Sequence, residues 1–210
     1  MKHRTAGFPL FFFFLILTSF SSVSPDNSTP SLSLEGTWKI YFGPEIPPEA
    51  FRVDFNDRQW KDIEMPGAFI QAAPGKAGYA WLRKSFSLKG RLASIPLALF
   101  IGRIAVADEV YWNGVRIGRM GRMPPAGQEL TDNFFSAWNS PRLYEIPSNL
   151  IEPDVNTEIV IKIYYSNDGW IQDNMEIGSA GALRPRVRLR AFLLNDLNMI
   201  LAFVLVSVAL

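Results

Sequence analysis

Two polar, turn-like stretches hold the aromatic rings that this chain could put to chemical use: Asn133-Phe-Phe-Ser-Ala-Trp-Asn139, preceded by Asp132, and Ser166-Asn-Asp-Gly-Trp-Ile-Gln-Asp173. A ring beside a carboxylate and a carboxamide suits a ligand with an apolar C–H face and a rim of hydroxyls. The ring takes the face and the planar polar groups take the rim. Trp138 with Asp132 and Asn133, or Trp170 with Asn167 and Asp168, are therefore the candidate ligand contacts. Both sets lie in expected loops, where ligands are usually gripped over a rigid scaffold. The bland alternative is that both rings cap the open end of a core.

Catalytic chemistry has fewer footholds. His3 is the only histidine and stands in the N-terminal segment, so an exported body has no Ser-His-Asp arrangement, no histidine base and no His-ligated zinc. Gly114-Val-Arg-Ile-Gly118-Arg-Met-Gly121 is glycine-rich but lacks a Walker lysine pattern and reads as turn chemistry. Cysteine is absent, which removes both a disulfide framework and a lipid-attached cysteine. The formal net charge of +1 gives no sign of a nucleic-acid partner. No catalytic residue and no metal site is expected.

The elements that must carry the two rings are strands. Glu109-Val-Tyr-Trp-Asn-Gly-Val-Arg-Ile-Gly118 reads as a hairpin, because Asn113 and Gly114 can both take the positive φ of a two-residue type I′ turn. Further strands are expected at Thr37 to Phe42, Ala80 to Leu88, Pro96 to Ile101, Arg142 to Ile146, Glu158 to Tyr165 and Arg184 to Phe192. Fifteen Gly and fifteen Pro between short extended runs favour an all-β antiparallel sandwich over an alternating α/β fold. Ile159, Ile161, Ile163 and Tyr165 form the expected core face of one strand, with Glu158, Val160, Lys162 and Tyr164 toward water. Arg184, Arg186, Arg188 and Arg190 share a side of the last run and read as a solvated sheet face, with anionic lipid or an acidic ligand as the sharper alternative. Ser148 to Ile151 reads as a short helical or 3₁₀ turn.

The two ends differ from the body. Residues 1–24 combine a cationic start, about ten apolar residues from Phe8 and small residues near Ser21, the parts of a secretory signal peptide; the alternative is a retained N-terminal anchor. Residues 25–33 read as a spacer and 34–190 as the folded domain. From Ala191 the chain turns apolar and ends in an unbroken run from Met199 to Leu210. Twelve helical residues reach only about 18 Å of a hydrocarbon core of about 30 Å, so 191–210 read as the start of a transmembrane helix, or else as a buried C-terminal helix. The expected location is the bacterial inner membrane, with the domain outside the cytoplasm.

Several short words in series carry a resemblance. Leu34-Glu-Gly-Thr-Trp38, Asn56-Asp-Arg-Gln-Trp60, Met65-Pro-Gly67, Gly78-Tyr-Ala-Trp-Leu-Arg-Lys-Ser-Phe86, the Asn113-Gly114 hairpin and Asn156-Thr-Glu-Ile-Val-Ile-Lys-Ile163 follow one another in order. From about Leu32 to Arg190 the chain resembles the jelly-roll sugar-binding domain, galactose-binding-like, found at the N-terminus of glycoside hydrolase family 2 enzymes such as β-galactosidases and β-glucuronidases. In that family two glutamates of a separate barrel domain cleave the glycosidic bond. Nothing here resembles that barrel, so the resemblance implies sugar binding or scaffolding without hydrolysis. It also implies that Trp38, Trp60 and Trp81 are core residues, with Trp112 packed beside its hairpin. A structural Ca²⁺ is a further implication, although Asp168 and Asp173 lack a loop pattern specific for it.

Signal peptide, sandwich and membrane segment in that order also resemble the front of bacterial seven-transmembrane receptors with diverse intracellular signalling modules. The expectation is an exported, membrane-tethered module that binds a saccharide or similar small ligand and reports to a signalling module or partner chain. The alternatives are an accessory domain of a family 2 glycoside hydrolase fragment and a protein-protein adhesion module.

Overall fold

The computed structural model describes residues 30–125 and 135–209. In chain order its strands are β1 (Ser31–Ser33), β2 (Gly36–Phe42), β3 (Lys61–Met65), β4 (Gly67–Ala68), β5 (Ala77–Ser87), β6 (Leu97–Phe100), β7 (Arg103–Ile104), β8 (Ala107–Trp112), β9 (Val115–Met120), β10 (Leu143–Ile146), β11 (Asn156–Ser166), β12 (Trp170–Gln172) and β13 (Glu176–Ser179). Two helices close the chain, α1 (Ala180–Ala191) and α2 (Leu197–Ala209), joined by a π-helical turn at Phe192–Asp196.

Local chemistry sets the hairpin. Asn113 and Gly114 have φ of 47° and 82°, and Trp112 pairs with Val115 across them, which is the type I′ geometry. The turn is fastened to β11, because the Glu158 N–H donates to Asn113 Oδ1 and the Asn113 N–H donates to the Glu158 carbonyl. Ser148–Leu150 forms the expected 3₁₀ turn.

All strand pairs are antiparallel. Six strands run in the order β3-β2-β5-β11-β8-β9, four in the order β1-β13-β6-β10, and three short ones in the order β4-β12-β7. Trp38, Ile40, Leu82, Ile161 and Trp112 of the larger sheet meet Leu97, Leu99, Ile146 and Ile177 of the smaller one in a single buried cluster. Burying one such side chain contributes about 1.5–3 kcal/mol, so this apolar layer dominates the stability of the sandwich. Ile159, Ile161, Ile163 and Tyr165 all face it, as their alternation predicts.

One ionic group sits between the sheets. The Arg142 guanidinium pairs with Asp108 at 2.8 Å, both fully buried, and the Tyr144 hydroxyl donates to the other Asp108 oxygen. Burial raises the Asp108 carboxyl, opposed by Arg142 and by the Tyr144 hydroxyl. Burial, with the Asp108 charge second, pushes the Tyr144 phenol far above its ordinary range.

Two expectations are corrected on the outer faces. Glu158, Val160 and Tyr164 are buried instead of facing water. The Gly43 to Trp60 segment lies over that face of the larger sheet and packs Ala50, Phe51, Phe55 and Trp60 against Trp81 and Val160. Arg83 anchors the cover: it donates to the carbonyls of Ala50 and Arg52 and pairs with Asp57 and with Glu158, the latter at 2.8 Å. Trp60 and Trp81 are therefore buried as expected, but under this cover and not between the sheets.

The second correction is Arg184 to Phe192, which is helical. Ala180, Leu183 and Val187, spaced three and four apart, press on Ala98 and Phe100 of the smaller sheet. Their arginine neighbours reach carboxylates of the sandwich: Arg184 pairs with Glu145 at 2.5 Å, Arg186 with Glu176 and Arg190 with Asp173. Period-two alternation fits this run equally well on paper. The apolar i, i+4 pair and three acidic partners, two on the neighbouring sheet and Asp173 in the segment between β12 and β13, decide for the helix.

Helix thus begins at Ala180, ahead of the expected boundary at Ala191, and Ser31–Ser33 at the end of the expected spacer is strand β1. No helix among the described residues is long and apolar enough to cross a membrane. The expected signal peptide, residues 1–24, lies outside the described residues.

Candidate functional site

The small β4-β12-β7 sheet carries Trp170 of the candidate site. Gly102 makes its approach feasible: at φ +63°, a Cβ there would lie 1.9 Å from the Gln172 carbonyl oxygen. The chain leaving β7 stays close to β12, with the Ala105 N–H donating to the Trp170 carbonyl at 3.2 Å. On the other side the Gly169 carbonyl accepts from the N–H groups of Phe69 and Ile70. Trp170 is thereby held between two neighbours and packs on Tyr79, Ala105, Val106, Ala107 and Tyr164.

Trp138 arrives by a different route. The Ala137 N–H donates to the Val106 carbonyl at 2.9 Å and the Ser136 hydroxyl to the Ala105 carbonyl at 3.3 Å. Buried Arg142 donates to the carbonyls of Ala137 and Ser140, which flank Trp138, and to that of Val106. The Asp108–Arg142 pair in the core therefore fixes the turn that presents an indole 54% exposed at the surface.

These two routes converge. Trp138, Trp170, Asp168, Ser166 and Ser136 line one concavity of about 290 Å³ floored by Ala105 and Val106. That volume is at the low end for small-ligand sites and suits about one sugar ring. The two candidate sets drawn from sequence, read as alternatives, thus contribute to a single site through Trp138, Trp170 and Asp168. Asn167 does not line it: it takes a positive φ of 60° and donates its N–H to the Lys76 carbonyl, shaping the turn that carries Asp168. Asp132 and Asn133 lie outside the described residues. Ser136, Ser166 and the positioning residue Arg142 escaped sequence reasoning; an arginine opening a strand of apolar alternation was the available hint for the last.

Asp168 and Asp173, the pair considered for calcium, part company. Asp168 faces the concavity, while Asp173 is held between Arg103, at 3.1 Å, and Arg190. Among the described residues no three carboxylate or imidazole groups gather as a metal site would require.

Comparison with known proteins adds a likeness of fold. No protein-family model matches the chain, and no curated protein matches it by sequence. Among solved structures it is similar to a β-glucuronidase from Ruminococcus gnavus in complex with D-glucaro-d-lactam, at a TM-score of 0.55 and 17% identity over 73% of this chain. A β-glucuronidase from glycoside hydrolase family 2 gives a TM-score of 0.54 and 15% identity over 70% of this chain. The chain spans 30% and 17% of those two proteins. At these identities the likeness is one of fold: the chain is a β-domain similar to part of family 2 β-glucuronidases.

Proposed function

We propose that this chain is a non-catalytic, saccharide-binding jelly-roll module of galactose-binding-like type, exported behind a signal peptide and tethered to a membrane at its C-terminal end. The observation that carries the reading is the meeting of Trp138, Trp170 and Asp168 in one concavity of sugar-ring size. Stacking on the rings and hydrogen bonds to Asp168, Ser136 and Ser166 are the two kinds of contact a saccharide needs. Export rests on the sequence of residues 1–24. Tethering rests on the apolar run after Ala191, where Met199, Ile200, Phe203 and Val206 of α2 are exposed. Such a module would report ligand occupancy to a signalling module or partner chain. A glycan array probed with the detergent-solubilised full chain is expected to show saturable binding to a limited set of glycans; uniformly blank signals would refute the reading.

The likeness to β-glucuronidases, of which the chain spans 30% or less, favours a second reading as an accessory domain of a family 2 glycoside hydrolase. Coding sequence downstream of Leu210 separates the two. Further apolar helices support the tethered module, whereas a soluble barrel with two catalytic glutamates supports the hydrolase.

A further inference from the structure

Among the described residues, the most deeply buried carboxylates face guanidinium groups. Asp108 faces Arg142, Glu158 faces Arg83, and Asp173 faces Arg103 and Arg190. Asp168 has no side-chain partner among the described residues, and no Lys or Arg is among the residues lining its concavity. Where the fold buries a negative charge it supplies a guanidinium; in the concavity it leaves the charge for whatever enters.

The rings beside it act in the same direction. An indole presents a negative π face, which attracts a cation placed over it and repels an anion. Trp138 and Trp170 line the same concavity as Asp168, so an amine seated over either ring gains from the ring and the carboxylate together. A carboxylate-bearing ligand would meet a like charge and no Lys or Arg in the lining. A protonated amine would meet the Asp168 carboxylate beside two indoles, and the hydroxyls of Ser136 and Ser166 would remain for the sugar's neutral oxygens.

Resting on the saccharide reading, we propose that the concavity takes an amino sugar with a free, protonated amine and discriminates against uronic acids. The test is calorimetric titration of the full chain in uncharged detergent, at a pH where the sugar amine is protonated. Two series are used, glucosamine, glucose and glucuronate, and galactosamine, galactose and galacturonate. In at least one series the amine form is expected to bind about tenfold or more tighter than the uronate, with the neutral sugar between. Asp168→Asn is expected to collapse that ratio and Asp168→Glu to keep it. Raising the salt should also narrow it, since the charge sits at an open surface. Asp168 is exposed, so neither substitution threatens the fold. Uronate binding as tight as the amine form, or a ratio unchanged in Asp168→Asn, overturns the proposal and leaves the saccharide reading standing. No binding by any of the six sugars, in a chain shown folded by circular dichroism, overturns both.

Discussion

The Arg83 cluster under the Gly43 to Trp60 cover and the concavity beside the β4-β12-β7 sheet share an inventory of aromatic rings, a carboxylate and small polar groups, yet they do opposite things with it. Under the cover, beside packed Trp60 and Trp81, Phe55 lies against an arginine whose nitrogens are spent on Asp57, Glu158 and two backbone carbonyls. At the concavity, Trp138 is half in solvent and Asp168 is unmatched among the described residues. The first region spends its arginine within the fold, leaving the buried Glu158 Oε1 without a hydrogen-bond partner; the second leaves an exposed carboxylate open to solvent, where a ligand can reach it. The lesson is that aromatic content locates neither structure nor function. The pairing of the charges separates them.

The largest effect expected from breaking this contrast comes from Arg142, which links core to site. Arg142→Ala strands the buried Asp108 carboxylate and the carbonyls of Ala137 and Ser140. A loss of about 3–5 kcal/mol is expected in urea unfolding, together with ligand binding, because the Trp138 turn loses its anchor. Retained stability with normal binding would show that Arg142 positions nothing.

Next comes the helical cover of the opposite sheet. Leu183→Ala removes a buried side chain that packs on Ala98 and Phe100, at an expected cost of about 3 kcal/mol. A strand over Arg184 to Phe192 would instead set Leu189 on the same face as Val187, so Leu189→Ala, at a residue 54% exposed on the helix, is expected to cost no more than about 0.5 kcal/mol.

A third test uses pH. Burial, the largest influence, pushes Glu158 up to about 7 against an ordinary 4.5, outweighing Ser85 and Arg83, which act the other way. The folded state then binds the proton more tightly than the unfolded one. Stability from this group is complete below pH 4.5 and is lost as pH rises through about 7. The full loss is at most about 3 kcal/mol. Glu158→Gln is expected to flatten that part of the stability curve while the rest of the profile persists; identical slopes in the two proteins would contradict the assignment. The smallest effect belongs to Asp168→Asn, which should leave the unfolding midpoint within about 0.5 kcal/mol of the parent, since the side chain supports nothing inside the fold.

How much of this was legible in the sequence depends on the range of the deciding interaction. The Asn113-Gly114 turn was readable because two adjacent residues need positive φ, a local demand. The inward face of β11 was readable because Ile159, Ile161 and Ile163 alternate. Its outward face was not: Glu158, Val160 and Tyr164 are covered by distant parts of the chain, Val160 by the aperiodic Gly43 to Trp60 segment. The Arg184 to Arg190 run was misread as a strand because Glu145, Glu176 and Asp173, which receive its charges, lie on other elements. At the site, Trp138, Trp170 and Asp168 could be named from their surroundings. Their union could not, because it depends on β12 pairing beside β7 and on Arg142 holding a turn across from it.

The central claim is that Trp138 and Trp170 bind one ligand together, and a double-mutant cycle on the full chain tests it most directly. With a saccharide found to bind, Trp138→Ala and Trp170→Ala are each expected to cost about tenfold or more in affinity, and the double substitution less than the product of the two, as for residues sharing one ligand. Affinity unchanged by Trp138→Ala would place the ligand elsewhere and contradict the account.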